Sequence, residues 1–269
     1  MNAMPEGACD CHVHVYDHGY PLAPTATFKP PHAPADAYRA VQRSLGLSRV
    51  VVVQPTGYGF DNRCTLAALA QLGPGARGIA VLPPAVPDDD LAQLHAAGIR
   101  GVRYMMGAGG LLPWDSLQTM AARIAPLDWN INLQLDGRTL PQHEATLARL
   151  PARLVIDHIG KFLGPVDGDS ECFAALLRLL DAGRCWIKLS APYESSRSGP
   201  PDYADIAPLA RTLASRYPER CLWASNWPHP NVAPAPTEAS LLAWSLQWTP
   251  EDAARRRMLV DNPAALYGF

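Results

Sequence analysis

The chain has 269 residues, enough for a large core and most naturally one large domain or two small ones. Its 23 basic and 25 acidic side chains leave a net charge of −2 with no basic run, which excludes a nucleic-acid or membrane-surface footprint. No apolar stretch reaches the ~18 residues of a membrane span, the opening MNAMPEGACD lacks a signal peptide's charged start and apolar core, and the six cysteines lack a zinc-finger spacing, so a cytoplasmic protein with reduced thiols is expected.

The first apolar run, ACDCHVHV (8–15), predicts a strand. Residues i and i+2 of a strand share a face, so His12 and His14 project together. A Pro-rich loop (21–34) follows. VVVVQ (50–54) predicts a second strand with Gln54 at its end. Asp61-Asn62 then starts a helix carrying Leu66, Leu69 and Leu72 at helical spacing. RGIAVL (77–82) is the third strand, and Asp88–Asp90 place carboxylates where the dipole of the next helix favours them. RGVRYM (100–105) carries Arg103 and precedes Leu117, Met120 and Ile124. INLQLD (131–136) carries Gln134. RLVIDH (153–158) ends on His158 and is followed by Phe173, Leu176, Leu177 and Leu180. CWIKLS (185–190) carries Lys188 and Ser190, with Ile206, Leu209 and Leu213 after it. CLWASN (221–226) ends on Asn226. Gly46, Gly73, Gly98 and Gly183 stand where helix C-caps are expected.

Eight strands, each followed by a helix, predict an α/β fold: a (β/α)8 TIM barrel over 1–269 as a single domain. Continuous apolar strands suit a parallel sheet covered outside. An open doubly wound sheet would call for a Gly-rich turn after an early strand, and HVYDHGYPLAP stands there instead. The Pro-rich loops 21–34, 192–201 and 228–236 fall at the C-terminal face, where such barrels carry active sites. Polar residues top most strands: His12, His14, Gln54, Arg103, Gln134, His158, Lys188, Ser190 and Asn226. A barrel interior is otherwise apolar, so these predict a polar site. His18, His32, His95 and His143 read as solvated surface.

These residues carry a resemblance. The His12-x-His14 pair, the Asp157-His158-Ile159-Gly160-Lys161 turn and the Trp227-Pro228-His229-Pro230-Asn231 turn resemble the amidohydrolase superfamily. GYPLAP, Phe60–Asn62, the segment Tyr193–Arg197 and the closing DNPAALYGF resemble its lactone-processing branch, over nearly the whole chain. Metal-dependent members generally add an acid or lysine on the fourth strand, histidines on the fifth and sixth, and an aspartate on the eighth. Here Arg103, Gln134 and Asn226 stand at the fourth, fifth and eighth. The resemblance therefore implies no required cofactor; zinc, if bound, would sit on His12, His14 and His158.

The implied partner is a small carboxylated lactone, with no nucleic acid or membrane and with the oligomeric state left open. Arg103, Lys188 and Arg197 would grip carboxylates. His12, His14 and His158 would donate to the developing oxyanion, and Gln54, Gln134 and Tyr193 would orient hydroxyls. His229 joins this set through its turn. Asn226 cannot act as a base on water. The expected reaction is isomerisation of an aldarate lactone, 1,5 to 1,4, in which the nucleophile is tethered. Lactone hydrolysis with a histidine as base is the alternative, and a non-catalytic ligand-binding barrel the least favoured.

Overall fold

The computed structural model describes residues 4–230 and 232–269. The first three residues of the opening segment and Asn231 of the WPHPN turn lie outside the described residues. All eight expected strands form: β1 (Cys9–Val13), β2 (Arg49–Val53), β3 (Ala76–Ala80), β4 (Ile99–Met105), β5 (Asn130–Gln134), β6 (Arg153–Ile156), β7 (Cys185–Leu189) and β8 (Cys221–Trp223). They pair in parallel in the order β1 to β8. Between them run α1 (Ala35–Leu45), α2 (Arg63–Leu72), α3 (Asp88–Ala96), α4 (Leu117–Ile124), α5 (Leu140–Leu147), α6 (Glu171–Asp181) and α7 (Ala207–Arg216). Helices α8 (Glu238–Leu246), α9 (Asp252–Arg256) and α10 (Asn262–Tyr267) follow β8. This is the expected (β/α)8 barrel.

The strands end earlier than the apolar runs suggest. His14, His158 and Asn226 all lie just beyond the ladder, in the turns that leave it. Their polar side chains and turned backbones do not extend the sheet; they form the rim.

Two apolar layers result from the alternation of strand side chains. Cys9, Cys11, Val51, Val53, Ile79, Val155 and Leu222 fill the barrel interior. Val50, Val52, Val102, Ile131 and Ile187 face the helices. Each fully buried aliphatic of this kind contributes roughly 1.5–3 kcal/mol. Leu266 and Tyr267 of α10 join the interior cluster and close the N-terminal end.

The seam between β8 and β1 is closed above the strands. Asn226 N–H donates to His12 O at 2.9 Å, and His14 N–H to Trp227 O at 2.8 Å. Asp10 reinforces the seam: Oδ1 accepts from Ser225 N–H at 2.9 Å and Oδ2 from the Tyr38 hydroxyl at 3.2 Å. Burial pushes the Asp10 carboxyl up to about 6. β1 also carries a bulge, since Asp10 pairs with Val50 while Val13 pairs with Val52. The extra residue falls at Cys11–His12, next to the site, as bulges often do.

Two local expectations were refined. Gly46 caps α1 in the left-handed conformation. Asn62 precedes α2, but its side chain makes no cap bond. It instead braces two loops, donating to Phe60 O and Val81 O and accepting from Val81 N–H. Among the described residues, no helix is long and apolar enough to cross a membrane.

Candidate active site

A cavity of about 500 Å³ opens at the C-terminal face. His14, Arg103, Gln134, His158, Tyr193 and Asn226 line it, as the sequence suggests. So do Thr27 and Phe28 of the loop after β1, Met106–Ala108 after β4, and Pro230 and Val232 after β8. This size suits a small ligand.

Beneath the cavity floor lies a buried charged network. Lys188 Nζ donates to Asn132 Oδ1 at 2.7 Å, lies 3.0 Å from His12 Nδ1, and is 3.0 Å from Asp157 Oδ1. Lys188, His12 and Asn132 are wholly buried and Asp157 nearly so. Burial alone would raise the Asp157 carboxyl; the Lys188 charge beside it overcomes this and holds the group well below the usual range. Burial also lowers Lys188, an effect that Asp157 opposes.

The tautomers follow from the partners. A carbonyl only accepts, so the 2.8 Å contact of His14 Nδ1 with Val53 O puts the proton on Nδ1. Burial, with Arg103 nearby, takes His14 down to about 3, so it is neutral and its Nε2 is an acceptor. His12 Nε2, 3.2 Å away, must then carry the proton it donates there. His12 Nδ1 is left to accept from the Lys188 ammonium. His12 itself is held well below its ordinary value by burial and by Lys188.

His158 opens the turn after β6 with φ of 56°, and Ile159, Gly160 and Lys161 follow at 58°, 88° and 46°. A run of left-handed residues that includes a β-branched one is strained, at roughly 1–3 kcal/mol per non-glycine position. Its consequence is that His158 and Lys161 both reach the cavity. His158 Nδ1 lies 2.9 Å from Ser190 Oγ. The hydroxyl can donate to or accept from Nδ1, so this contact fixes the ring's orientation rather than its tautomer. Burial lowers His158, leaving it neutral.

Arg103 is nearly buried. It donates to Gln54 O at 3.0 Å and to Gln134 Oε1 at 3.1 Å. Its Nε has no partner, and no carboxylate pairs with it among the described residues. Asn226, with φ of 62°, donates from Nδ2 to the Tyr193 hydroxyl at 2.9 Å and to Glu194 Oε1 at 3.2 Å. Its Oδ1 is buried without a partner among the described residues.

Five expected site residues lie elsewhere. His12 and Lys188 sit under the cavity, not on it. Gln54 turns sideways, donating to Gly59 O and Asp61 O and accepting from Thr65 Oγ1, so it braces the loop after β2. His229 is held between the Tyr193 hydroxyl at 2.8 Å and Glu238 at 3.3 Å. Arg197 is exposed and borders a separate hollow with Asp205. Sequence reasoning gave no role to Asp157, Lys161 or Glu194. A lysine in the apolar run CWIKLS is the signal that a buried acid must answer it.

The donor set can be tested against a divalent cation. His12, Asp157 and His158 bring one ligand atom each within 4.8 Å of one another. Lys188 already neutralises the one carboxylate among them. Arg103 adds a second positive charge beside His14, and both imidazoles of the His12–His14 pair are engaged by neighbours. Like charge repels a cation, so this set suits a hydrogen-bonded cationic network and does not fit zinc.

Lys188→Met should expose the network's energetics. It strands Asp157 as an unpaired buried charge, which costs about 3–5 kcal/mol, a drop in Tm on the order of 10 °C. Asp157 then titrates upward by burial, so the gap to wild type should narrow as pH falls through the carboxylate range. Adding Asp157→Asn should recover part of the loss. Thermal melts by circular dichroism check this; a single variant melting within about 2 °C of wild type at neutral pH would show the pair to be energetically idle.

The sequence profile of the amidohydrolases matches residues 9–269. The chain belongs to the amidohydrolase family. It is 39% identical to D-galactarolactone isomerase of Agrobacterium fabrum, over 98% of this chain and 92% of that protein. It is 35% identical to 2-pyrone-4,6-dicarboxylate hydrolase of Comamonas testosteroni, over 98% and 91%. An apo crystal structure of an Agrobacterium tumefaciens protein superposes with a TM-score of 0.94 at 38% identity, covering 100% of this chain and 98% of that one. This amidohydrolase is thus an enzyme whose similar relatives are named as lactone isomerases and lactone hydrolases.

Proposed function

We propose that this amidohydrolase isomerises a carboxylated sugar-acid lactone, converting an aldarate 1,5-lactone to the 1,4-lactone. The observation that carries the reading is Asn226. At the top of the eighth strand it offers an amide, which does not titrate near neutrality and cannot activate water. An isomerisation needs no water. A hydroxyl of the substrate attacks its own lactone carbonyl, a new C–O bond forms, and the old ring C–O bond breaks. The tethered nucleophile has a high effective molarity.

The cavity suits this substrate. Arg103 is a cation with no carboxylate partner among the described residues, placed for one free carboxylate of a lactone. The neutral His158, in the tautomer that accepts from Ser190 at Nδ1, would offer Nε2–H to the carbonyl oxygen as negative charge develops there. His12 and His14 do not share this work directly. His14 has its single N–H committed to Val53, and His12 donates to His14. Their part is to keep the floor rigid. Hydrolysis is the second reading, favoured by the Comamonas relative's name.

The test is an NMR time course on a panel of aldarolactones, run with and without a strong chelator. Isomerised lactone should accumulate ahead of open-chain acid, at the same rate in both tubes. Open-chain acid as the first product would turn the reading to hydrolysis. Stoichiometric zinc whose removal abolishes turnover would refute the metal-free site.

A further inference from the structure

Ring exchange leaves a proton to be moved. The attacking hydroxyl must lose one and the departing ring oxygen must gain one. The described cavity lining holds two carboxylates, Asp136 and Glu194. Asp136 is fully committed: it accepts from Arg138 Nε and a terminal nitrogen at 2.6–3.1 Å, and from the Arg138 and Leu163 amides. His158, tied at Nδ1 to Ser190, is given to the carbonyl oxygen in the reading above, and His14 Nε2 already accepts from His12. Tyr16 and Tyr193 are pushed upward by burial and stay protonated.

We infer that Glu194 is the catalytic residue that carries this proton, in place of the carboxylate missing from position 226. The inference rests on the isomerase reading above. Glu194 stands in the turn after β7, its Oε1 held by Asn226 Nδ2 at 3.2 Å and its Oε2 paired with Lys161. The Asn226 amide thus orients a carboxylate supplied by the neighbouring loop. Burial would raise Glu194, but the Lys161 ammonium paired with it, and Arg103 beyond, hold it below its ordinary value, so it rests as the carboxylate that a base must be. The step balances. The substrate hydroxyl gives its proton to Glu194 as its oxygen bonds to the lactone carbon. The tetrahedral intermediate then expels the original ring oxygen, which takes that proton back. The two oxygens are borne on adjacent carbons of a 1,5-to-1,4 exchange, so one carboxylate serves both transfers, and nothing is consumed.

The experiment compares wild type, Glu194→Gln, Glu194→Asp and the double variant Glu194→Gln/Lys161→Met, with thermal melts for folding and NMR for products. Glu194→Gln should lose roughly 10²–10⁴-fold in kcat with KM changed only severalfold. Glu194→Asp, whose carboxylate is withdrawn by one methylene, should lose at least about tenfold, and it carries the test if the Gln variant does not fold. The double variant should stay as slow as Glu194→Gln. A kcat within threefold of wild type in the Gln or Asp variant would overturn the inference. So would recovery in the double variant, since Glu194 would then serve only as the Lys161 counter-ion. Failure of the isomerase reading shows separately, as open-chain acid being the first product of wild type.

Discussion

Arg103→Met should lower kcat/KM for a carboxylated lactone by roughly 30- to several-thousand-fold, while a neutral lactone of similar size changes little. The reason lies in the balance of charge around the cavity. Lys161 is paired with Glu194, and Asp136 with Arg138. Among the described residues, Arg103 is held by the neutral oxygens of Gln54 and Gln134. A substrate carboxylate is the partner its guanidinium lacks. Losing one buried charge-assisted contact costs about 2–5 kcal/mol, which is that range of fold-change. Steady-state kinetics on the two lactones, with a thermal melt for folding, measure it. An equal, small effect on both would make Arg103 a structural brace between β2 and β5.

Asn226→Asp should gain hydrolytic opening of the lactone at the expense of isomerisation. The backbone tolerates the change, since Asn and Asp both accept the left-handed conformation held at this position. The side-chain environment does not. Asn226 Nδ2 donates to Glu194 Oε1 at 3.2 Å; an Asp there sets two carboxylates against each other. Like charges at this distance cannot both ionise easily, so the pair should share a proton and show one raised apparent value. General-base activation of water is worth about 10²–10⁴-fold, and it should appear only as pH rises past that raised value. Isomerisation should fall over the same range, because the new charge disturbs Glu194. Open-chain acid and isomerised lactone, followed together by NMR from pH 5 to 9, give both rates. A wild type that hydrolyses as fast as it isomerises, beside an unchanged variant, would reduce Asn226 to a cap on the loop after β8.

Much of the site is legible in the sequence because it sits at strand tops. Periodicity locates strand ends, and His14, Arg103, Gln134, His158 and Asn226 all reach the cavity from those ends. Periodicity does not say which way a rim side chain leans. Gln54 and His229 turn into loops that pack beside them. Arg197 lies far enough along its loop to leave the cavity altogether. Glu194 was missed for the converse reason. It belongs to a one-turn segment after β7, and only contact with Asn226 and Lys161, from two other strand ends, holds it at the cavity.

Alternation of short apolar runs with amphipathic ones determined the barrel by itself, since both periods are local and each strand–helix unit buries its face in only one arrangement. The paired histidines and the Asn in the eighth strand's place are likewise read directly from the sequence, and the proposed reaction class rests on them. Tertiary structure alone decided the protonation of that site. Whether His12 donates or accepts depends on Val53, His14 and Lys188, which stand on three different strands or their ends. The charge on Asp157 depends on a lysine 31 positions away in sequence and 3.0 Å away in space. Proton affinity is set by desolvation and by charges within a few ångströms, and neither exists until the chain has closed on itself.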